Sequence, residues 1–463
     1  MPVPGPPSRR QKSVTRTSMP VSARENLETA LAVIEAHDDV INGMITVTAE
    51  QAREAADAAD KAAAAGGWLG LLHGMTFAIK DNIQTAGVRT TSGSLHFKDV
   101  VPNQDAFVVQ RLKAAGAVIV GKAAMQELAF GIRSDNPVSG QCRNPWDQSK
   151  VPGGSSGGSG AVVAAGMAQG ALGTDTGGSV RLPAAMNGIA GLRPTHGRVP
   201  NHGSTPVSVG YDTIGPMARR VEDLAYILAV TAHEEPGFAS TSAPNLGNFL
   251  PSLHDGVAGL RLGIPRNHYF SDCGEGIAEA VSQAVGVLES QGAKVFEVDV
   301  DGAENTHKWA TIQIYSDACA YHAERLDNHP ELFSPAVLER MLVGRSFSGV
   351  DYANACRARE AWQRTLADLY QDIDILISPT TPAPPPPIKE DKSLLEATRD
   401  ASRNTYAGGF GANPGLSLPC GFDPNDLPIG LQMEAAWWRE PMLLRAGAAY
   451  QAVTDWHLAE PSL

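Results

Sequence analysis

The chain has 463 residues, of which 43% are hydrophobic and 19% charged, a composition typical of a folded globular protein. Its formal net charge of -13 argues against nucleic acid as a partner, because nucleic-acid binding requires a basic surface. The five cysteines are widely spaced and include no C-x-x-C pair. We therefore expect neither a disulfide framework nor a zinc ribbon, and a cytoplasmic location is the simplest interpretation.

The N-terminus carries four basic side chains and no apolar run, so we predict a flexible tail over residues 1–21 rather than a signal peptide. No stretch approaches the ~18 uninterrupted apolar residues of a membrane-spanning helix, so no membrane partner is expected. Ser22 and Glu25 have the spacing of a capping box ahead of an apolar helical period. We predict that one folded domain begins here and covers residues 22–463.

Helices and short apolar strands alternate after this point and predict an α/β fold. A strand is expected to end at Lys80, and a helix over residues 105–115 follows it. Because buried strands alternate with helices, the sheet should be parallel or mixed. Residues 309–370 are predicted to be a helical, amphipathic region that caps the sheet. Further strands are predicted at residues 117–120, 260–264, 294–298 and 373–378.

Two glycine- and serine-rich segments stand out, GGSSGGS at residues 153–159 and GTDTGGS at residues 173–179. Taken alone, such a cluster is more often a flexible loop, and neither segment fits a phosphate-binding motif. The chemical alternative is acyl transfer, which needs a nucleophile, a base and N–H groups directed at an oxyanion. Beside Ser179, the glycines would let a carbonyl approach the backbone closely, and a helix beginning at Ser179 would add positive potential. The small residues 161–171 between the two segments are compatible with a tightly packed helix.

Lys80 is the candidate base, since none of the twelve histidines lies beside either segment. A lysine with the ordinary pKa of about 10.4 is neutral in roughly one molecule per thousand near pH 7. Burial at the end of a strand would lower that pKa and supply a neutral amine. By itself, however, a lysine after a strand is more often a solvated charge.

Three segments together resemble the amidase signature family. They are Lys80 within FAIKDNI, Ser155 within GGSSGGS and Ser179 within GTDTGGSVR. The separation of the two serines matches the usual spacing in that family. The resemblance continues at residues 188–198, 212–216, 374–382 and 428–432. It therefore covers nearly the whole chain from about residue 22.

The resemblance implies a single α/β/α sandwich around a large mixed sheet, with a Ser-cisSer-Lys triad and no metal or organic cofactor. Ser179 would be the nucleophile, and Lys80 would be the base that draws its proton through Ser155. A cis peptide bond after Gly154 would hold Ser155. The oxyanion hole would consist of the backbone N–H groups of Thr176, Gly177, Gly178 and Ser179.

Three further residues match positions of the family. Asp175 and Arg181 would order the loop, and Ser156 would support the network by a hydrogen bond. In the implied mechanism Ser179 attacks the carbonyl, and the amine leaves with a proton returned by Lys80 and Ser155. Water then hydrolyses the acyl-enzyme.

Three departures bear on the substrate. Members that act on glutamine commonly carry Thr-Asn where this chain has Ala123 and Ala124, and the usual glycine is replaced within residues 411–414. No acidic residue for an amino-acid head group can be placed. We therefore predict a free-standing enzyme that hydrolyses small-molecule amides, aryl amides, carbamates (urethanes) or ureas, and leave a homodimer open. Aromatic residues that would suit an aryl substrate, if they do not simply pack the core, are Trp309, Tyr315, Tyr321 and Phe347.

Three rival interpretations remain. Residues 153–157 fit the G-x-S-x-G elbow of a Ser-His-Asp esterase, with Ser155 as nucleophile and Asp212 and His457 as partners. A chain of this family could also be the amidase subunit of a glutamine-dependent amidotransferase, or an inactive binding subunit. The weakest alternative is a cysteine enzyme based on Cys142, since nothing around that residue resembles an activating environment.

Overall fold

The computed structural model describes residues 22–233 and 244–463, and the statements below refer to these residues. The predicted tail over residues 1–21 lies outside them. Within the described residues an 11-stranded mixed sheet is flanked by helices, which confirms the predicted α/β class. No helix in this part of the chain combines the length and the apolar character needed to cross a membrane.

The helices of the described residues vary from one and a half turns to more than six. They are α1 (Ala23–Ile41), α2 (Ala49–Ala64), α3 (Phe107–Ala114), α4 (Gly157–Ala164), α5 (Arg181–Met186), α6 (Val221–Thr231), α7 (Ile277–Ser290), α8 (Ala303–Tyr321), α9 (Ala323–Asn328), α10 (Pro335–Ser346), α11 (Gly349–Asp372), α12 (Leu394–Ser402), α13 (Tyr406–Gly411) and α14 (Glu440–Gln451). The capping box predicted at Ser22 and Glu25 is formed at the start of α1.

The strands are short, and most are completely buried. They are β1 (Met44–Val47), β2 (Thr76–Lys80), β3 (Val118–Ala123), β4 (Asp135–Asn136), β5 (Gly140–Gln141), β6 (Gly170–Asp175), β7 (Ala190–Arg193), β8 (Thr213–Ala218), β9 (Arg261–Pro265), β10 (Lys294–Val298), β11 (Ile375–Pro379), β12 (Gly415–Phe422) and β13 (Pro428–Ala435). The strand predicted at residues 294–298 is confirmed by β10, and the others named from the sequence shift by a few residues at most.

The large sheet has the order β1-β3-β2-β6-β8-β7-β12-β13-β11-β9-β10. Strands β3, β2 and β6 are parallel, as are β11, β9 and β10, and the central pairs from β6 to β11 are antiparallel. Because β2 and β6 run in the same direction, their carboxyl ends meet at one edge of the sheet. Lys80 ends β2 and Asp175 ends β6, so this edge gathers the residues singled out from the sequence.

Alternation along β2 decides which face Lys80 occupies. Phe77 and Ile79 join the core on one face of the sheet, whereas Ala78 joins a second core that includes residues of α1, α2 and α4. Side chains two positions apart in a strand share a face. Lys80 therefore lies on the face of Ala78, the face on which α4 packs.

The small residues 161–171, which are compatible with a helix, are helical only in their first part. Helix α4 ends at Ala164, and Gly166 then adopts a left-handed conformation with φ +76°. Such a conformation after the last turn is favourable for glycine and terminates the helix. The chain then enters β6 at Gly170, so the remaining residues connect helix to strand.

The region of residues 309–370 is helical, and α8 and α10 cross very closely within it. A Cβ atom at Gly344 of α10 would lie 2.1 Å from the backbone oxygen of Tyr315 in α8. A side chain at this position would force the two helices apart, although glycine is otherwise unfavourable within a helix.

We predict that Gly344→Ala lowers the free energy of unfolding by about 1–3 kcal/mol, because overpacking outweighs the gain in helix propensity. Gly349→Ala is the matched control, since a Cβ at Gly349 would meet no atom within 4 Å. Urea unfolding followed by circular dichroism measures both variants. Equal unfolding midpoints for the two would contradict the close crossing of α8 and α10.

Candidate active site

Three segments converge at the carboxyl ends of β2 and β6. Strand β2 delivers Lys80, the loop before α4 delivers Ser155, and the loop between β6 and α5 delivers Ser179. Residues 80, 155 and 179 are far apart in sequence, and the parallel pairing of β2 with β6 brings their segments together. The convergence agrees with the arrangement that the resemblance implies.

The Lys80 side chain is completely buried. Its Nζ atom donates hydrogen bonds to Ser155 Oγ at 2.7 Å and to Thr174 Oγ1 at 2.7 Å. Burial lowers the pKa of Lys80 to about 7, against the opposing charges of Asp212 and Asp175. A large fraction of Lys80 is therefore neutral near neutral pH, as a base must be.

The serine loop is fixed to strand β6. The peptide bond between Gly154 and Ser155 is cis. The Ser156 hydroxyl accepts a hydrogen bond from Thr174 N and donates one to Thr174 O, both at 3.2 Å. Its backbone N–H donates to Ser179 O at 3.3 Å, so Ser156 joins the two serine segments and the strand between them.

The backbone of residues 176–179 borders a cavity and is shaped by two glycines. The ring of Tyr406 packs so closely on Gly177 that a Cβ there would lie 2.7 Å from a ring carbon. Gly178 has φ +134°, a region that other residues rarely adopt. The N–H groups of Thr176, Gly177 and Ser179 have no hydrogen-bond partner within the described residues.

Gly178 differs from the sequence-based prediction. Its N–H donates to Asp175 Oδ1 at 2.8 Å and so is directed at a carboxylate rather than at the cavity. The reason is local: Asp175 ends β6 and its carboxylate also accepts from Val180 N at 3.2 Å, which folds the backbone around it. Three of the four predicted oxyanion donors thus remain free of intramolecular bonds in this part of the chain.

A buried charge cluster orders this backbone from beneath. Asp175 pairs with Arg181 at 3.1 Å and with Arg193 at 2.9 Å, and the two guanidinium groups outweigh burial and hold the pKa of Asp175 well below its usual range. Arg181 also pairs with Glu434 at 3.0 Å, where burial raises the carboxyl pKa to about 7. Helix α5 begins at Arg181, two residues after Ser179, so Ser179 precedes the helix. Arg193 and Glu434 were not identified from the sequence.

One cavity lies at the site and a second lies beside it. Ser179 lines a small one of about 30 Å³, together with Thr176, Gly177 and Tyr406. A larger cavity of about 890 Å³ lies beside it. His307 lines the larger cavity and its ring is 4.3 Å from that of Tyr406, so this ring pair separates the two spaces.

Arg340 also lines the cavity of Ser179, and the sequence analysis did not identify it. Its side chain is 2% exposed and lies over the rings of Phe130 and Tyr315. It donates hydrogen bonds to Phe130 O, Thr398 Oγ1 and the Tyr315 hydroxyl at 3.0, 3.0 and 2.5 Å. No carboxylate of the described residues lies within 4.0 Å, and its Nε–H has no partner there.

The aromatic residues proposed for an aryl substrate have different surroundings. Phe347 lines the larger cavity, and Trp309 packs against the core of the helical region. Tyr315 is buried beneath Arg340, and Tyr321 is 47% exposed. Only Phe347 of this set borders a cavity beside the site.

The geometry does not support the rival nucleophiles. Ser155 is bound by Lys80, and Asp212 accepts a hydrogen bond from Thr176 rather than from a histidine. His457 lies in a C-terminal 3₁₀ turn that packs on β12. Cys142 is completely buried, and burial raises the pKa of its thiol, which opposes formation of a thiolate.

The chain matches the family model described as Amidase over residues 25–444. It belongs to the amidase signature family. This confirms the family that the sequence motifs suggested. As a member, the chain acts as a hydrolase of amide-type C–N bonds.

The relatives of this amidase signature protein differ in their names. It is 38% identical to a subunit of the glutamyl-tRNA(Gln) amidotransferase from Roseiflexus sp. (strain RS-1), over 96% of this chain and 95% of that protein. A structure from a vestigial protein complex linked to the origins of an s-triazine catabolic enzyme has a TM-score of 0.88 and 35% identity, covering 93% of this chain and 95% of that one. The peptide amidase of Stenotrophomonas maltophilia has a TM-score of 0.81 and 28% identity, covering 93% of each. These names share a family, and those of the sequence relatives agree with the amidotransferase alternative rather than with the predicted free-standing enzyme.

Lys80→Met should change how stability depends on pH. Folded Lys80 loses its proton near its pKa of about 7, whereas an unfolded lysine keeps it to about pH 10.4. Between these values the unfolded state binds more protons. The free energy of unfolding of the wild type should therefore rise by about 1.4 kcal/mol per pH unit relative to the variant. Urea unfolding across this range measures the difference, and a difference independent of pH would contradict the buried lysine.

Proposed function

We propose that this chain hydrolyses the C–N bond of a small anionic amide, carbamate or urea through an acyl-enzyme on Ser179. The observation that carries the reaction is the contact between buried Lys80 and Ser155, whose Nζ and Oγ atoms are 2.7 Å apart. A neutral lysine at the end of a hydroxyl relay can accept the proton of a second serine. Carbamates and ureas present the same carbonyl group, so the same attack applies to them.

In the proposed mechanism Ser179 Oγ attacks the carbonyl carbon while its proton passes to Ser155 Oγ. The Ser155 proton passes in turn to Lys80 Nζ. The oxyanion accepts hydrogen bonds from the N–H groups of Thr176, Gly177 and Ser179. The C–N bond then breaks as the relay returns the proton to the leaving nitrogen. Water attacks the acyl-enzyme and gives its proton to the same relay. The relay returns that proton to Ser179 Oγ as the bond between Oγ and the acyl carbon breaks and the acid is released.

We expect Ser179→Ala and Lys80→Met to abolish hydrolysis, and Ser155→Ala to reduce it by about 10²–10⁴-fold, because the proton relay is lost. A fluorophosphonate probe labels an activated serine without the physiological substrate, so its labelling rate is the measurement. Ser159→Ala is the control, since Ser159 lies in the same glycine-rich segment but donates to Leu172 O at 3.0 Å. Labelling that survives Ser179→Ala and is lost in Ser155→Ala would instead support the esterase elbow.

Arg340 supports an anionic substrate. Burying a guanidinium group without a counter-ion is costly, and an anion in the adjacent cavity would offset that cost. The cavity that Arg340 shares with Ser179 holds only about 30 Å³, so the group next to the reacting carbonyl has few heavy atoms. A short acyl chain that ends in a carboxylate fits both conditions.

Glutamine hydrolysis within an amidotransferase is the second candidate, and the names of the relatives favour it. Glutamine carries an ammonium group beside its carboxylate. The described residues that line the Ser179 cavity include Arg340 and Ser402 but no aspartate or glutamate. An ammonium group there would lose its hydration without gaining a counter-ion, so the lining favours an anionic amide that lacks the amino group.

The larger cavity supports a wider range of leaving groups. It is lined by apolar residues such as Phe347 and by charged ones such as Glu304, Lys308 and Arg399. A volume of about 890 Å³ exceeds what ammonia requires and lies within the range of small-molecule binding sites. Aryl amines released from amides, ureas or urethanes are therefore candidate leaving groups.

Three matched substrates test the substrate class: glutaramate, glutamine with the added amino group, and butanamide without the carboxylate. We expect glutaramate to give the highest kcat/KM for ammonia release. Arg340→Met should raise the KM for glutaramate by about 10–100-fold, as expected for loss of a charged hydrogen bond, and leave butanamide nearly unchanged.

Arg345→Met is the matched control, since Arg345 lies on the same helix but pairs with Asp327 on the surface at 2.7 Å. Unchanged fluorophosphonate labelling would show that Ser179 remains reactive in each variant. A preference for glutamine over glutaramate would overturn the anionic-amide proposal and favour the amidotransferase role.

A further inference from the structure

Asp212 is a buried carboxylate beside the site for which the proposed mechanism has no role. It directly precedes β8, and the register of β6 with β8 pairs Asp175 with Thr213. Asp212 therefore lies opposite Thr176, the first residue of the backbone that borders the cavity. Its side chain is 7% exposed.

The Asp212 carboxylate joins two walls of the Ser179 cavity. Thr176 Oγ1 donates to Oδ1 at 2.5 Å, while Val207 N and Ser208 N donate to Oδ2 at 2.8 and 3.1 Å. Thr176 and Val207 both line the cavity of Ser179. One carboxylate thus sets the separation between the backbone of residues 176–179 and the loop that contains Val207 and Ser208.

Asp212 is also the less compensated of the two acids that act on Lys80. Asp175 already pairs with Arg181 and Arg193. Asp212 has no lysine or arginine nitrogen within 4.0 Å among the described residues, and all three of its hydrogen-bond donors are uncharged. Burial raises its pKa to about 6, and the charge of Lys80 acts to lower it.

We propose that Asp212 is a positioning residue that fixes Thr176 and provides the counter-charge for Lys80 when Lys80 receives the proton of Ser179. This inference rests on the acyl-transfer mechanism proposed above. An ammonium ion that forms in a fully desolvated site is stabilised by a nearby carboxylate that no other cation neutralises. Above pH 6 Asp212 is largely ionised and can fill this role.

Other charged groups face this pair from the elements packed around it. Beyond Asp175, Arg181 and Arg193, Glu434 contacts Arg181 from β13. Asp317 of α8 accepts a hydrogen bond at 2.5 Å from the hydroxyl of Ser208, whose backbone N–H donates to Asp212. These groups remain in every variant below, so their titration contributes equally to each pH profile.

The experiment measures the rate of fluorophosphonate labelling of Ser179 against pH. In the wild type the rate should fall on the acid side as Lys80 becomes protonated. In Asp212→Asn the neutral lysine persists to lower pH. The acid limb of the profile, meaning the pH range in which the labelling rate falls, should therefore move to lower pH by roughly half a unit or more. The plateau should fall by about 10–100-fold, because the ammonium ion loses its counter-charge.

Two further variants separate charge from position. Thr176→Val removes the hydroxyl and keeps the carboxylate, so it should lower the plateau without moving the limb. Asp212→Glu keeps the charge and should restore the limb of the wild type. Asp212→Ser is a second uncharged variant, whose hydroxyl oxygen can accept a hydrogen bond and which lacks the NH₂ group that asparagine would place beside the donors of Thr176, Val207 and Ser208. Circular dichroism shows which of the two uncharged variants folds, and one folded variant is sufficient for the test.

An unshifted limb in a folded uncharged variant, or a plateau equal to that of the wild type, would overturn the inference. If Ser179→Ala is not labelled in the same experiment, either of these outcomes overturns the role of Asp212 and leaves the proposed function standing. Labelling that persists in Ser179→Ala would overturn the proposed function, and the inference with it.

Discussion

The Lys80 amine has no access to water, and its closest partners are the neutral hydroxyl groups of Ser155 and Thr174. A carboxylate at either position would hold the lysine as an ammonium ion. Hydroxyl partners leave desolvation as the largest effect, so the pKa of Lys80 falls to about 7. The proposed mechanism requires the strand, the serine loop and the two nearby acids to accommodate an amine that gains and loses a proton while buried.

Two carboxylates near the lysine are kept in different electrostatic states. Asp175 pairs with two arginines and accepts hydrogen bonds from backbone N–H groups, so its charge is compensated locally and orders the loop. Asp212 is held by uncharged donors, so its charge remains available to the lysine. Asp175 and Asp212 both act to raise the pKa of Lys80, and the positive charges of Arg181 and Arg193 offset part of the effect of Asp175. The buried arginines therefore help to keep the pKa of Lys80 low, although neither of them contacts it.

Local sequence features predicted much of the fold and the segments that meet at the candidate site. The capping box of α1 and the β10 strand follow from neighbouring residues, and Lys80, Ser155 and Ser179 lie in glycine-rich or strand-end motifs that packing places together. The end of α4 was missed because small apolar residues suit a helix and a buried connection equally. Contacts such as Arg193 with Asp175 or Glu434 with Arg181 were missed because their partners come from distant strands, and no local pattern links them.

Arg340 illustrates why the reaction is more readily predicted than the substrate. An arginine on an amphipathic helix is normally expected to face solvent. Here it turns inward because Phe130 and Tyr315 provide aromatic surfaces for the guanidinium plane, and these residues lie in other segments. The cavity thus obtains its charge from a helix that carries no motif. Sequence motifs therefore predict the reaction class more readily than the substrate, because Arg340, which lines the cavity of Ser179, lies outside those motifs.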